Sequence, residues 1–253
     1  MNDARGRLFV VGLGPGGPGY LTEDSRVALE TAQDLIGYAP YLARLARREG
    51  QTRIGSDNRV ELERAREALR RTAEGRRVAL VSGGDPGVFA MAAAVFEAIE
   101  TGDPAWRGLD VEVLPGVSAM FAAAARLGAP LGGDFCAISL SDNLKPWETI
   151  AMRLECAARG DFVIALYNPA SRARPDRIND AFAILRAALA PQTLVVFAKS
   201  VGRAEEEIVV ADLASADLSK VDMATLVIIG AKGTRRIERE GARPFVYTSR
   251  RVS

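Results

Sequence analysis

The stretch Ser82-Gly83-Gly84-Asp85-Pro86-Gly87 has the spacing most suggestive of chemistry: it follows a short apolar run, Val78 to Val81, and leads into an alanine-rich helical pattern. Adjacent glycines admit positive φ and close approach of backbone to a ligand, Pro86 fixes the exit, and Asp85 puts one carboxylate at a strand end. Ligands of open α/β sheets lie beyond the carboxyl ends of strands, so this composition suits a binding loop as well as an ordinary strand-to-helix turn. The same punctuation recurs, with polar or Gly/Pro-rich loops after apolar runs at Gly12, Pro115, Ser141, Tyr167 and Lys199. Converging, such ends would form one cleft between two domains, lined by amides, carbonyls, small residues and aromatics. A cleft of that kind encloses a nucleoside-like ligand without a metal.

The elements that must position these loops read as strands over 8–11, 35–36, 78–81, 111–114, 136–140, 162–166, 194–198, 208–210 and 225–229, with helices between them. Thr22 reads as an N-cap with Glu23 and Asp24 in the first helical turn. A basic helical stretch is expected around Arg44, Arg47 and Arg48, mostly solvated, and an amphipathic helix over 61–74, with Leu62, Ala65 and Leu69 inward and Gly75 at C′. The tail from Arg235 reads as basic and peripheral. Alternation of strand and helix predicts an α/β fold in two α/β domains, 1–116 and 117–253, with a soft boundary between them.

Composition narrows the chemistry. The 253 residues carry 33 Lys+Arg against 32 Asp+Glu, a net charge of +1 that offers no general attraction to nucleic acid or membrane, so any anion site is local. There is no histidine, which makes zinc hydrolases and Ser/His/Asp triads improbable, and no metal is expected. Cys136 and Cys156 suggest neither a disulfide framework nor a metal site and read as small core residues. No apolar run approaches the ~20 residues of a membrane span, and a cytoplasmic protein is expected. Gly12, Gly14 and Gly17 formally spell GxGxxG, but Pro15 and Pro18 keep the segment irregular until Thr22, so a helix opens too late to meet a pyrophosphate.

Taken together, Val11-Gly12-Leu13-Gly14-Pro15-Gly16, Ser82 to Phe89, Leu114-Pro115-Gly116-Val117-Ser118-Ala119, Ser139-Leu140-Ser141-Asp142, Ala165-Leu166-Tyr167-Asn168-Pro169 with Ser171 and Arg174, and Leu226 to Gly230 resemble the class III S-adenosylmethionine-dependent tetrapyrrole methyltransferases. The resemblance spans roughly residues 8 to 230. It implies a homodimer of two-domain chains holding S-adenosylmethionine, with S-adenosylhomocysteine as product. Gly83, Asp85, Val88, Phe89, Ser118, Ala119, Tyr167, Asn168, Thr225 and Leu226 would contact that cofactor. Gly14, Pro15, Gly16, Ser141, Ser171 and Arg174 would face the tetrapyrrole. Ser139-Leu140-Ser141-Asp142 followed by Tyr167-Asn168-Pro169 with Ser171 and Arg174 is the part of the resemblance that points, within the family, to methylation of precorrin-3B at C17 with ring contraction in cobalamin biosynthesis.

A methyl sulfonium is already activated, so transfer mainly needs the nucleophilic carbon in line in a dry pocket, and a histidine-free chain suffices. Ring contraction also moves a proton, for which Asp85, Asp142 and Lys199 are the catalytic candidates. The plainer roles are a turn bond for Asp85 and a helix cap near Trp147 for Asp142. Arg172, Arg174 and Arg177 offer guanidinium contacts to substrate carboxylates, or a solvated basic face. The alternatives are a cobalt-containing substrate (cobalt-factor III), an NAD(P)-dependent oxidoreductase using the first glycine loop, and a non-catalytic tetrapyrrole carrier.

Overall fold

The computed structural model describes residues 6–57, 60–171 and 174–251, and the chain divides into two units, Met1–Ser118 and Ala119–Ser253.

In the first unit, β1 (Arg7–Gly12), β2 (Asp34–Tyr38), β3 (Thr52–Ser56), β4 (Arg77–Ser82) and β5 (Asp110–Leu114) form one sheet in the order β3-β2-β4-β1-β5, parallel throughout. Its central strands read as unbroken apolar runs because both faces are covered. Leu8, Val10, Val78 and Leu80 pack with α3 (Glu61–Ala73) and α4 (Met91–Thr101). Val11, Ala79 and Val81 point the other way, into a cluster with Ala28 and Leu29 of α1 (Glu23–Thr31) and Leu42 of α2 (Ala39–Leu42). Thr22 caps α1, its Oγ1 accepting from Ser25 N at 3.2 Å. Gly75 takes φ +84 just beyond α3.

Two expectations for this unit are corrected. The basic helix around Arg44 is not formed: α2 ends at Leu42, and Arg53 donates to the carbonyls of Leu42 and Leu45 (each 3.1 Å) and of Ala46 instead. A side chain thus takes carbonyls that a continuing helix would have used. The edge strand β3 was missed because Ile54 is its single large apolar residue.

In the second unit the main sheet runs β10-β9-β11-β8-β7, from β7 (Phe135–Ser139), β8 (Val163–Tyr167), β9 (Leu194–Lys199), β10 (Glu207–Asp212) and β11 (Thr225–Ile229). It is mixed: β7 and β8 are parallel, while β11 runs against both β8 and β9. Ile138, Ile164, Leu166, Phe197, Val227 and Ile229 pack with Leu154 of α6 (Trp147–Arg159) and Phe182 of α7 (Arg177–Ala188). The basic tail is not peripheral. Phe245-Val246-Tyr247-Thr248 alternates exposed and buried side chains as β13, which pairs β12 (Thr234–Ile237) and β6 (Gly128–Ala129); the latter follows α5 (Ala119–Leu127). Four arginines between 235 and 243 mask that two-residue period. The cysteines are not both core residues either: Cys156 is exposed on α6, and Cys136 is half-buried, with its thiol pKa pushed up by burial.

Candidate active site

The first unit brings its predicted residues to the carboxyl edge of the parallel sheet. Gly14 and Gly84 exchange backbone hydrogen bonds in both directions at 3.1 Å, and Leu13 N donates to Ser82 O at 2.9 Å. Asp85 accepts from Gly87 N at 2.8 Å and from Gly116 N at 3.0 Å, so one carboxylate ties the loop after β4 to the loop after β5. A Cβ on Gly116 would stand 2.3 Å from Gly84 O and 2.9 Å from Gly12 Cα. Glycine is required there by close approach of three backbone segments.

Gly84 (φ +65) differs: a Cβ there would meet nothing within 4 Å, so this face of the loop is open. Gly83 lies against Tyr41, whose Cζ would be 2.7 Å from an added Cβ. Phe89 is held at φ +52 with its ring 48% exposed, beside half-buried Val88. An open glycine, a tied carboxylate and a presented aromatic thus stand together in the loop after β4. Ser118 is buried at the end of this unit, and Ala119 opens α5 in the next.

Gly14, Pro15 and Gly16 are buried, and sequence reasoning missed what holds them. Arg44 donates to the carbonyls of Gly14 (3.2 Å), Leu13 (3.5 Å) and Gly16, so it is a loop fastener and not the solvated residue expected. Nothing local in its spacing marks it. The amide of Gly14 is spent on Gly84, and α1 begins only at Glu23, which removes the pyrophosphate site that a dinucleotide reading needs.

In the second unit β9 runs the same way as β8, since both oppose β11. The carboxyl ends of β7, β8 and β9 and the amino end of β11 therefore share one edge, which gathers Ser141, Asp142, Tyr167, Asn168, Ser171, Arg174, Lys199, Thr225 and Leu226. Tyr167 Oη accepts from Met120 N, in the first turn of α5, at 3.1 Å. Asn168, at φ +53, donates through Nδ2 to the buried Ser139 Oγ at 2.9 Å, and Ser141 N donates to the same oxygen at 3.3 Å. Thr225 Oγ1 donates to Asp222 Oδ1 at 3.0 Å, and Leu226 is buried.

Asp142 does not cap α6, whose N-cap is Pro146 with no side-chain bond. It accepts from Arg177 Nε at 2.8 Å and lies 3.4 Å from Arg174 Nε. Burial pushes its carboxyl pKa up, but Arg177, a backbone hydrogen bond and Arg174 outweigh that and hold it below the ordinary carboxylate range. Lys199 Nζ sits 2.7 Å from Asp222 Oδ2, a hydrogen-bonded pairing that raises the lysine pKa. At neutral pH Asp142 is therefore a carboxylate and Lys199 an ammonium. Arg172 falls outside the described residues.

The sequence pattern of Tetrapyrrole (Corrin/Porphyrin) Methylases matches residues 7–217. The chain is 55% identical over 245 residues to a precorrin-3B C(17)-methyltransferase from Sinorhizobium sp, covering 97% of this chain and 96% of that one. It is 46% identical over 234 residues to the cobalamin biosynthesis protein CobIJ of Mycobacterium tuberculosis, covering 91% of this chain and 45% of that protein, under half its length. Among solved structures, the methyltransferase CobJ superimposes with a TM-score of 0.92 at 51% identity, covering 96% of this chain and all of that one. A uroporphyrin-III C-methyltransferase from Thermus thermophilus complexed with S-adenosylhomocysteine matches at 0.65 and 25% identity, over 89% of this chain and 97% of that one.

Proposed function

Because the chain belongs to the tetrapyrrole (corrin/porphyrin) methylases, we propose that it is an S-adenosylmethionine-dependent methyltransferase that methylates precorrin-3B at C17, with ring contraction, in cobalamin biosynthesis. The observation carrying the substrate is 55% identity to the Sinorhizobium precorrin-3B enzyme over 97% of this chain. When bound, the cofactor supplies a methyl group activated on a sulfonium, so the protein's task is orientation and exclusion of water.

Gly83, Asp85, Val88, Phe89, Ser118 and Ala119, with Tyr167, Asn168, Thr225 and Leu226, are assigned to the cofactor. The open face of Gly84 and the left-handed backbone of Phe89 and Asn168 support that assignment. Gly14, Pro15, Gly16, Ser141, Ser171 and Arg174 are assigned to the tetrapyrrole. For the proton step of contraction the candidates are Asp85 and Lys199, of which Lys199 is charged to donate a proton at neutral pH, whereas Asp142 is turned to Arg177 and Arg174. A homodimer belongs to the same reading, and sedimentation equilibrium tests it.

The deciding experiment is anaerobic incubation of the protein with S-adenosylmethionine and precorrin-3B, followed by mass spectrometry and carbon NMR. One added methyl and an extruded acetyl are expected. A methyl without the acetyl would reject the contraction. No methyl on precorrin-3B but one on cobalt-factor III would move the substrate to the cobalt-containing series.

A further inference from the structure

Two polar atoms in the loop after β8 are buried without a hydrogen-bond partner: Ser171 Oγ and Arg174 Nε. Each is a donor, and leaving a buried donor unmade costs about 1–3 kcal/mol, more for a charged group. The two residues are held face to face, since Ser171 N donates to Arg174 O at 3.1 Å and Arg174 N to Ser171 O at 2.9 Å. Arg174 also donates through Nη1 to Leu140 O at 3.3 Å, and its side chain is only 13% exposed. The guanidinium is thus fixed in direction while its Nε remains unspent.

The charges around it are asymmetric. Asp142 is the carboxylate that faces Arg174, and its Oδ2 accepts from Arg177 Nε at 2.8 Å and lies 2.7 Å from Arg177 Nη2. Arg177 is held further by Asp180 at 2.9 Å and by the Trp147 ring, 4.8 Å from its Cζ. One part-buried carboxylate therefore serves two guanidinium groups: its Oδ2 is taken by Arg177, while its Oδ1 lies 3.4 Å from Arg174 Nε without a hydrogen bond. Arg174 keeps both a positive charge and a free donor.

We infer that Ser171 Oγ and Arg174 Nε form a seat for one peripheral carboxylate of the substrate, and that Asp142 is the positioning residue that aims Arg174 into it. The inference rests on the tetrapyrrole reading of the site and deepens it. A carboxylate supplies the two acceptor oxygens that two adjacent donors require, and a neutral ring edge does not. Asp142 acts through the arginines, so its removal disturbs substrate binding and leaves the reacting atoms alone.

The test uses the whole chain with Arg174→Gln, Arg174→Lys, Ser171→Ala and Asp142→Asn, each first checked for an unchanged melting profile and unchanged S-adenosylhomocysteine affinity. Steady-state methyl transfer to precorrin-3B should show KM raised about 10-fold or more for Arg174→Gln and a few-fold for Ser171→Ala, with kcat nearly constant, as loss of uniform binding requires. Arg174→Lys should restore part of the loss. Asp142→Asn should raise KM at constant kcat, and a fall in kcat at constant KM would overturn the positioning role. A KM unmoved in Arg174→Gln would overturn the seat.

Binding of uroporphyrin III, read by fluorescence quenching, separates this inference from the functional reading because it needs no turnover. Wild type should bind the free acid more tightly than its octamethyl ester, and Arg174→Gln should narrow that difference. If methyl transfer fails while the difference holds, the reaction was misassigned and the seat stands. Equal binding of acid and ester by wild type and variant would sink the seat even if methyl transfer is found.

Discussion

The two units build their loop edges from different materials. In the first, the edge is backbone: Gly12 and Gly116 approach each other and the carbonyl of Gly84 within distances that admit no Cβ on either, and Asp85 ties amides together. Its buried ion pair lies at the other end of the sheet, where Asp34 opens β2 with no side-chain exposure against Arg71 and Arg76. In the second, the edge is side chain, with Asp142, Arg174, Arg177, Lys199, Asp222 and Tyr167 at the strand ends. Polar groups at the loop end of such a sheet serve ligands and those at the opposite end serve stability, so the first unit separates the two tasks. The second puts its charges where its ligands are expected.

The largest effect is expected from adding one atom to the first edge. Gly116→Ala puts a methyl 2.3 Å from Gly84 O, which only backbone movement can relieve, and overpacking of this kind costs roughly 1–3 kcal/mol or more. Urea unfolding should show it as a lowered midpoint. Ser141→Ala on the second edge should leave the midpoint nearly unchanged, and equal losses would erase the contrast between the edges.

Next comes Asp34. Burial raises its carboxyl pKa, but hydrogen bonds from Arg76 and Arg71 overcome this and lower it. A depressed folded value means stability that is present above the unfolded carboxyl value, near ~3.9, and lost as pH falls through the folded one. Asp34→Asn should cost about 1.5–3 kcal/mol at neutral pH, the range for hydrogen bonds to charged groups, and should flatten the acid limb of a stability–pH curve. S-adenosylhomocysteine affinity, measured on the folded protein, should not change. A changed affinity would mean that the two ends of this sheet are not separate in task.

Asp85→Ala removes the acceptor for Gly87 N and Gly116 N and should weaken S-adenosylhomocysteine binding by about 1–3 kcal/mol, roughly 5- to 150-fold, read by calorimetry. Unchanged affinity in a folded variant would withdraw Asp85 from the cofactor. Arg44→Ala should act more mildly, raising KM for precorrin-3B by a few-fold with cofactor affinity intact, because it loosens the loop from Leu13 to Gly16.

These cases show what the sequence could and could not reveal. The alternation of strand and helix, Thr22 as a cap and the loops at strand ends were readable because glycine, proline and apolar runs are local signals. Arg44 was not, since its partners lie about thirty residues away and an arginine among arginines looks solvated. Asp142 was open to misreading for a related reason: an aspartate shortly before a helix reads as a cap, while Arg174 and Arg177, more than thirty residues later, decide its role. Strand β13 hid because the two-residue period of Phe245 to Thr248 follows an arginine-rich stretch. Local punctuation was legible, and pairings across the sequence were not.

Lys199 should give the smallest effect on the methyl-transfer step. Its side chain is 38% exposed, and that of its partner Asp222 49%, so the pair is solvated and its removal leaves no buried charge behind. Its raised pKa means that any contribution to stability is fully present below the unfolded lysine value and fades only as pH rises through the folded one. Lys199→Met should therefore leave the melting temperature and methyl transfer at neutral pH unchanged. The extruded acetyl is the sensitive readout: if the ammonium donates the contraction proton, methylated but uncontracted product accumulates. Equal loss of methyl and acetyl would instead show that this lysine, for all its exposure, helps hold the second edge together.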